Sequence, residues 1–541
     1  MCYNNNVNNI SNKYEYKINI KGAILMKINF KKMMCAAAAA AIGMTVLAGC
    51  GSQKHSDKLT YWAGIAMGDG SSDADALPFV QELKKETGVD VEFTIPSNDS
   101  GQKTEQFNIM VASTEYNDIV EWNWAGFKGG AQGAIDQGII RPLNEYMDSG
   151  KLPNLKKYLE AHPEVDKLVK TDKGQYYVFP FIRENEKSRI FNGPILRKDW
   201  LDDLGLDVPE TIDEWENVLL EFKDKKGATA PLTLMSNFWD TGAFMGAYGV
   251  KNTFVLNDNN KVEFGPIQDG YKQFLTKMND WYNKGLLDNG FAQLDSNMLN
   301  SQMTSGKSGA AIYSMGGGIG KWLGAMASDA KYDLVGAKFP VLKKGDKAKF
   351  GTKAPIYDGQ GAAITTSCPE DMVDDALKLL DYAYSDEGRN LFNFGTEGVD
   401  WEMVDGKQTY TDHITNNPDG KTMSEMLALD TRATGGPFAQ DVRYTEQFMS
   451  RPQQQAAVEK WKDTDDEKYS LPPLSYTTEE MEEYTKIMSN VETLEGEKFV
   501  KYIQGTESLD TWDSYVAEIE KMGIERATEI VQQAYDRYMS R

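Results

Sequence analysis

Lys58-Leu59-Thr60-Tyr61-Trp62-Ala63, Val89-Asp90-Val91-Glu92-Phe93-Thr94-Ile95 and Asn117-Asp118-Ile119-Val120-Glu121-Trp122 form the stretch that decides the fold class. The first run reads as a strand ending in Trp62. The second alternates in the manner of a strand, and the third ends in an aromatic group, Trp122 and Trp124. Two helical segments separate them. Leu77–Gly88 carries Phe79, Val80 and Leu83 at helical spacing, and Lys103–Ser113 follows the second strand. The order strand, helix, strand, helix, strand implies an α/β protein with a parallel or mixed sheet, whose ligand chemistry belongs at the carboxyl ends of the strands.

Upstream of this stretch the chain reads as an address. Lys27, Lys31 and Lys32 precede the apolar run Met33–Leu47, which ends in Leu47-Ala48-Gly49-Cys50. Positive region, apolar region and small residues in that order make a secretory signal peptide. The run is short of the ~20 residues of a membrane-spanning helix. A cysteine directly after Leu-Ala-Gly resembles the bacterial lipobox, which implies acylation, typically with palmitate, at Cys50. Residues 1–25, rich in Asn, read as an upstream mis-start with translation expected from Met26. Residues 26–49 form the signal, and residues 50–58 form a polar tether.

The 541-residue chain carries a net charge of -23. Residues 1–49 hold six Lys and one Glu, so 52 cations face 80 acids beyond them, about -28. Such a body repels nucleic acid and anionic membrane surfaces. Of the four cysteines only Cys368 lies beyond Cys50, which rules out an internal disulfide framework in the exported body. No His lies near Cys368 in sequence, and it is expected to be a buried thiol.

Further along, Gly138-Ile139-Ile140-Arg141-Pro142-Leu143-Asn144 is followed by Lys173-Gly174-Gln175-Tyr176-Tyr177-Val178-Phe179-Pro180 and Leu196-Arg197-Lys198-Asp199-Trp200-Leu201. Next comes Val208-Pro209-Glu210-Thr211-Ile212-Asp213-Glu214-Trp215, where Thr211 and Glu214 fit a capping box ahead of the apolar stripe Trp215, Val218, Leu219 and Phe222. Asn257-Asp258-Asn259-Asn260 marks a hairpin. A helix is expected over Pro369–Tyr384 with Pro at its first position. Ser385-Asp386-Glu387-Gly388-Arg389 to Glu397-Gly398 and the helices of Phe499–Tyr538 complete the series. Taken in order, these segments resemble the extracellular solute-binding proteins of ABC importers, family 1, sugar-binding type, and within it the large lipoproteins of oligosaccharide uptake.

The resemblance implies a two-lobed periplasmic-binding-protein-like fold (type II), with a ligand cleft between lobes joined by a hinge. One lobe is expected from 59–183 plus about 354–425. The other is expected from 184–353 plus about 426–541, including the C-terminal helices. It further implies a monomer, lipid-anchored on the extracytoplasmic face of the cell membrane. This receptor captures an oligosaccharide and delivers it to the transmembrane permease subunits of an ABC transporter, without enzymatic activity or cofactor. A peptide or other non-sugar receptor of the same fold is the alternative, and a surface glycoside hydrolase stands behind it.

Eleven Trp and 26 Tyr suit a sugar binder, because sugar C–H faces stack on aromatic rings while hydroxyls take in-plane polar partners. Those at strand ends or loops are the candidates: Trp62; Trp122, Asn123 and Trp124; Arg183 and Glu184 after Phe179-Pro180-Phe181; Asn237, Trp239 and Asp240; and Trp322 after a glycine run. That run, Gly316-Gly317-Gly318-Ile319-Gly320-Lys321, has Met315 and Trp322 where a phosphate-binding Walker loop needs Gly and Ser or Thr, and it reads as a flexible turn at the cleft edge. His55, His162 and His413 are far apart and none has a His or Cys at i+3 or i+4, so no metal site is expected. Many relatives carry a calcium-type loop after the Trp215 helix. Here Phe222–Pro231 lacks alternating oxygen ligands.

Overall fold

Asp118 sets the register of the first sheet. Its carboxylate accepts the Thr60 N–H and the Thr60 hydroxyl, both at 2.8 Å, and so locks two strand starts together. The computed structural model describes residues 58–65, 67, 73–235 and 242–541. The signal region, Cys50, Asn237, Trp239 and Asp240 lie outside the described residues.

Strands β1 (Leu59–Trp62), β2 (Val91–Thr94) and β3 (Ile119–Asn123) pair in parallel, with β1 in the middle. The chain continues through β4 (Phe179–Pro180) and β5 (Ile182–Arg183) to β6 (Asn192–Arg197) and β7 (Leu232–Thr233). A hairpin of β8 (Phe254–Leu256) and β9 (Val262–Phe264) turns at Asn260, whose φ of 56° is the left-handed conformation that Asn tolerates. Then β10 (Ala310–Ser314) and β11 (Leu334–Gly336) complete a second sheet in the order β11-β6-β10-β7. Strand β12 (Gln360–Ile364) returns to the first sheet, antiparallel to β3 and β4, giving β2-β1-β3-β12-β4. A hairpin of β13 (Trp401–Val404) and β14 (Lys407–Tyr410) follows, and β15 (Ala439–Gln440) lies parallel to β5.

The first half of this order matches the sequence expectation of a mixed α/β sheet. The helix Pro78–Thr87 ends at Gly88, whose φ is 66°. The helix Ile212–Lys226 opens with the expected capping box at Thr211 and Glu214 and buries Trp215, Val218, Leu219 and Phe222. The helix expected from Pro369 instead starts at Val373. Pro369 accepts the Met372 and Val373 N–H groups in a turn ahead of it. Among the described residues no helix is long and apolar enough to cross a membrane.

Two large hydrophobic cores result. One gathers residues of 59–182, 357–392 and 438–439 around the first sheet, and the other gathers residues of 190–348 and 449–535 around the second. A smaller cluster holds Phe394, Trp401, Tyr410, Ile414, Met426, Leu427, Ala433 and Tyr444. The chain passes between the large cores three times, at 182–190, 348–357 and 439–449.

In the second core Glu216 ties helix Ile212–Lys226 to helix Asp269–Asn283. It accepts the Trp281 indole N–H and the Lys277 ammonium, each at 3.1 Å, and the Lys284 ammonium. Burial pushes this carboxyl up, but the bonds from Lys284, Trp281 and Lys277 outweigh it and hold the group at about 2, against an ordinary value of 4.5. A depressed carboxyl contributes stability that is present above pH 4.5 and lost as the pH falls toward 2. Glu216→Gln is therefore expected to lose about 1–2 kcal/mol at neutral pH, after discounting for solvent screening. The gap to wild type should close across that acid window in urea titrations.

Candidate functional site

The first sheet places a polar cavity where its topology changes direction. From β1 the chain crosses to β2 on one side and then returns past β1 to β3 on the other, so the switch point lies at the carboxyl ends of β1 and β3. A cavity of about 310 Å³ opens there. Gly64 follows β1, Glu121 projects from β3, Phe181 precedes β5 and Arg183 ends it. Asp358, Gln360 and Gly361 come from the start of β12, and Arg432 and Thr434 from the segment before β15. Lys103, in the helix Ser100–Ser113, completes the wall. Three cationic and two acidic side chains thus line one small space.

Two ion pairs organise it. The Arg432 guanidinium donates to both Glu121 oxygens, at 3.1 and 2.8 Å, and its Nε donates to the Gly435 carbonyl at 2.9 Å. Arg432 is buried and Glu121 is partly buried, with side-chain exposures of 6% and 13%. The Tyr61 hydroxyl donates to Glu121 at 2.7 Å. Burial pushes this phenol far above its ordinary range, with the Glu121 charge adding to the effect, so it remains a donor. Arg183 donates to Asp358 at 3.0 Å and lies over the Phe181 ring, 4.8 Å from its centre. Gly361 is required where it stands, because a side chain would collide with the Phe179 carbonyl across the β12–β4 ladder. Paired guanidinium and carboxylate groups of this kind present fixed donors and acceptors in a plane.

The expected site residues divide. Arg183 lines the cavity. Trp122 keeps partial exposure. One face stacks on Phe107 at a centroid distance of 3.9 Å, and the Lys103 ammonium lies 6.0 Å from its centre. Trp62 is 5% exposed and packs against Trp122 and Phe107. Asn123 caps the turn after β3, accepting the Gly126 N–H at 2.9 Å. Glu184 pairs with Arg389 at 2.9 Å and is not among the cavity residues. Trp124 and Trp322, expected as stacking platforms, have no free face here. Trp124 is 1% exposed and donates its indole N–H to the Val120 carbonyl at 3.1 Å. Trp322 is fully buried, stacks on Tyr313 and donates to Asn300 at 2.7 Å.

The glycine run differs from the flexible turn expected. Met315–Gly320 forms a π-helical turn that leads into helix Lys321–Ala325. Its glycines admit close neighbours. A side chain at Gly316 would meet the Phe448 ring at 2.6 Å, and Gln454 donates to the Met315 carbonyl at 3.0 Å. Cys368 is 1% exposed and burial pushes its thiol up to about 12, which leaves it unreactive as a nucleophile.

Sequence reasoning alone did not single out Lys103, Glu121, Asp358, Gln360 or Arg432. Glu121 carried a signal, as the one acid inside the apolar strand Ile119-Val120-Glu121-Trp122. Arg432 carried none, since its partner lies 311 residues away.

Similarity to known proteins agrees with this architecture. The model of the bacterial extracellular solute-binding protein family matches residues 69–390. The fructooligosaccharide ABC transporter substrate-binding protein FusA of Streptococcus pneumoniae is 25% identical, over 85% of this chain and 87% of its own. Lipoprotein LipO of Bacillus subtilis is 27% identical over 70% of this chain and 76% of its own. The structure of the alginate-binding protein AlgQ2, solved without calcium ion, superposes with a TM-score of 0.72 at 23% identity, covering 89% of this chain and 98% of that one. A calcium loop at the end of helix Ile212–Lys226 does not fit the residues present. Lys223 donates to the Lys284 carbonyl and Lys226 pairs with Asp203, and Asp224 is the single carboxylate of Phe222–Pro231, too few for a cation that takes six to eight oxygens. Family match, two-core α/β architecture and switch-point cavity agree, and the chain belongs to the bacterial extracellular solute-binding proteins.

Proposed function

We propose that this chain captures an oligosaccharide at the switch-point cavity and delivers it to the permease of an ABC importer. The observation that carries the reading is the pairing of Arg432 with Glu121 and of Arg183 with Asp358 around one cavity, beside Phe181. Sugar hydroxyls need bidentate donors and acceptors already held in place, and sugar C–H faces need aromatic rings. The likeness to a fructooligosaccharide-binding relative supports the same reading. The excess of one cation in a strongly acidic body favours, as a second reading, a sugar bearing carboxylates. Two lobes, one around the core of 59–182, 357–392 and 438–439 and one around the core of 190–348 and 449–535, close over the ligand at the crossings between them. The protein acts as a monomer and leaves its ligand chemically unchanged.

The test is a thermal-shift screen with neutral oligosaccharides, uronic-acid oligosaccharides and peptides, followed by chromatography of the recovered ligand. Binding raises the melting temperature as RT ln(1+[L]/Kd). Stabilisation by one sugar class with intact ligand is expected. Stabilisation by peptides alone, or shortened sugars, contradicts the proposal.

Anchoring belongs to the same proposal. Acylation at Cys50 supplies the two chains that stable membrane attachment takes. Cys50→Ala is expected to move the protein from the membrane fraction to the soluble one, read by immunoblot of fractionated cells. Retention on the membrane would remove the anchor.

A further inference from the structure

Three side chains that the sequence keeps apart meet away from the cavity. Asp400 stands directly before β13, His413 lies in the short helix Asp412–Thr415, and Asp430 ends the helix Met423–Asp430. One ligand-type atom from each lies within 4.8 Å of the other two. His413 Nε2 is 3.1 Å from Asp430 Oδ2 and 3.6 Å from Asp400 Oδ1. Asp400 and Asp430 are 1% and 3% exposed, while the His413 side chain is 40% exposed. Asp400 Oδ2 accepts the Thr396 N–H at 2.7 Å, but Oδ1, equally buried and directed at the cluster, has no hydrogen-bond partner. A buried carboxylate oxygen without a donor costs free energy and calls for an explanation.

We propose that Asp400, His413 and Asp430 bind a divalent transition-metal ion of the zinc class, with the remaining coordination position open toward solvent. A tetrahedral ion with bonds of about 2.0–2.1 Å sets its ligands about 3.3–3.4 Å apart. The separations of 3.1 and 3.6 Å straddle that spacing. One imidazole with two carboxylates suits zinc better than calcium or magnesium, which take six or more oxygens. Burial pushes both carboxyls up, Asp400 to about 6, so each gains from a cation between them. The half-exposed imidazole leaves a path of entry.

The position gives the ion a role. It joins three segments beside the hydrophobic cluster that holds Trp401, Ile414 and Met426. Asp430 also stands two residues before Arg432, which forms one wall of the cavity. The ion braces the start of the segment 431–436 and so holds Arg432 against Glu121. Zinc binding itself does not depend on the oligosaccharide reading, and its test uses no sugar.

The test is calorimetric titration of zinc chloride into the tag-free full chain, purified in detergent and stripped with chelator at neutral pH. It is paired with cobalt(II) absorption and with hydrogen exchange of residues 431–436. Wild type is expected to bind one zinc, to give the visible bands of four-coordinate cobalt, and to show slower exchange at 431–436 when loaded. His413→Ala and Asp400→Asn, each checked for native circular dichroism, are expected to weaken zinc at least 100-fold. If wild type takes up no zinc, or both folded variants bind as wild type does, the site is refuted. Unchanged exchange at 431–436 in the loaded protein refutes the bracing role.

Discussion

Arg432→Ala is expected to lower stability by about 3–5 kcal/mol and to abolish oligosaccharide binding. The two effects share one cause. The Glu121 side chain is only 13% exposed, and without Arg432 it keeps the Tyr61 hydroxyl as its donor against an uncompensated charge. Arg432 also holds the turn at Gly435 through its Nε, so the wall of the cavity loosens at the same time. Urea denaturation reads the first effect and calorimetric titration the second. The double variant Glu121→Gln with Arg432→Met separates them. Replacing a buried ion pair by neutral groups of similar volume is often close to neutral in stability. This variant keeps no unpaired charge, so it should lose much less stability than Arg432→Ala and still fail to bind. Unchanged ligand affinity in Arg432→Ala would take the pair out of the site.

Trp122→Ala and Trp124→Ala are expected to fail in opposite ways. Trp124 is enclosed and bonded to the Val120 carbonyl, so its removal opens a core cavity and costs about 3–5 kcal/mol. Any sugar response that survives in the folded fraction should keep its affinity. Trp122 retains an accessible portion beside Lys103, and its loss should cost about 1–2 kcal/mol of binding, roughly tenfold in Kd, with a smaller loss of stability. Chemical denaturation and titration of both variants check this. Reversal of the two outcomes would exchange the roles assigned to these residues.

Local signals carried the fold a long way. Alternation in Val89–Ile95, the glycine at 88 and the Thr211–Glu214 box act over a few residues, and the structure shows each nearly where the sequence implied it. The candidate cavity was legible only in part. Arg183, which lines it, stood out because it follows a short apolar crossing at the end of a strand. Trp122 and Trp124 share strand parity and looked equivalent. The strand ends at Asn123, however, and Trp124 turns back so that its indole N–H reaches the Val120 carbonyl. The Glu121–Arg432 pair and the Asp400–His413–Asp430 cluster depend on chain returns across several elements. No local periodicity encodes such meetings.

The most direct test of the central claim is a paired calorimetric titration of oligosaccharides into wild type and into the Glu121→Gln, Arg432→Met variant. The account predicts one-to-one binding of at least one oligosaccharide class by wild type, with the ligand recovered intact, and no heat from the folded variant. Identical titrations for the two proteins, or heat from peptides alone, would contradict it.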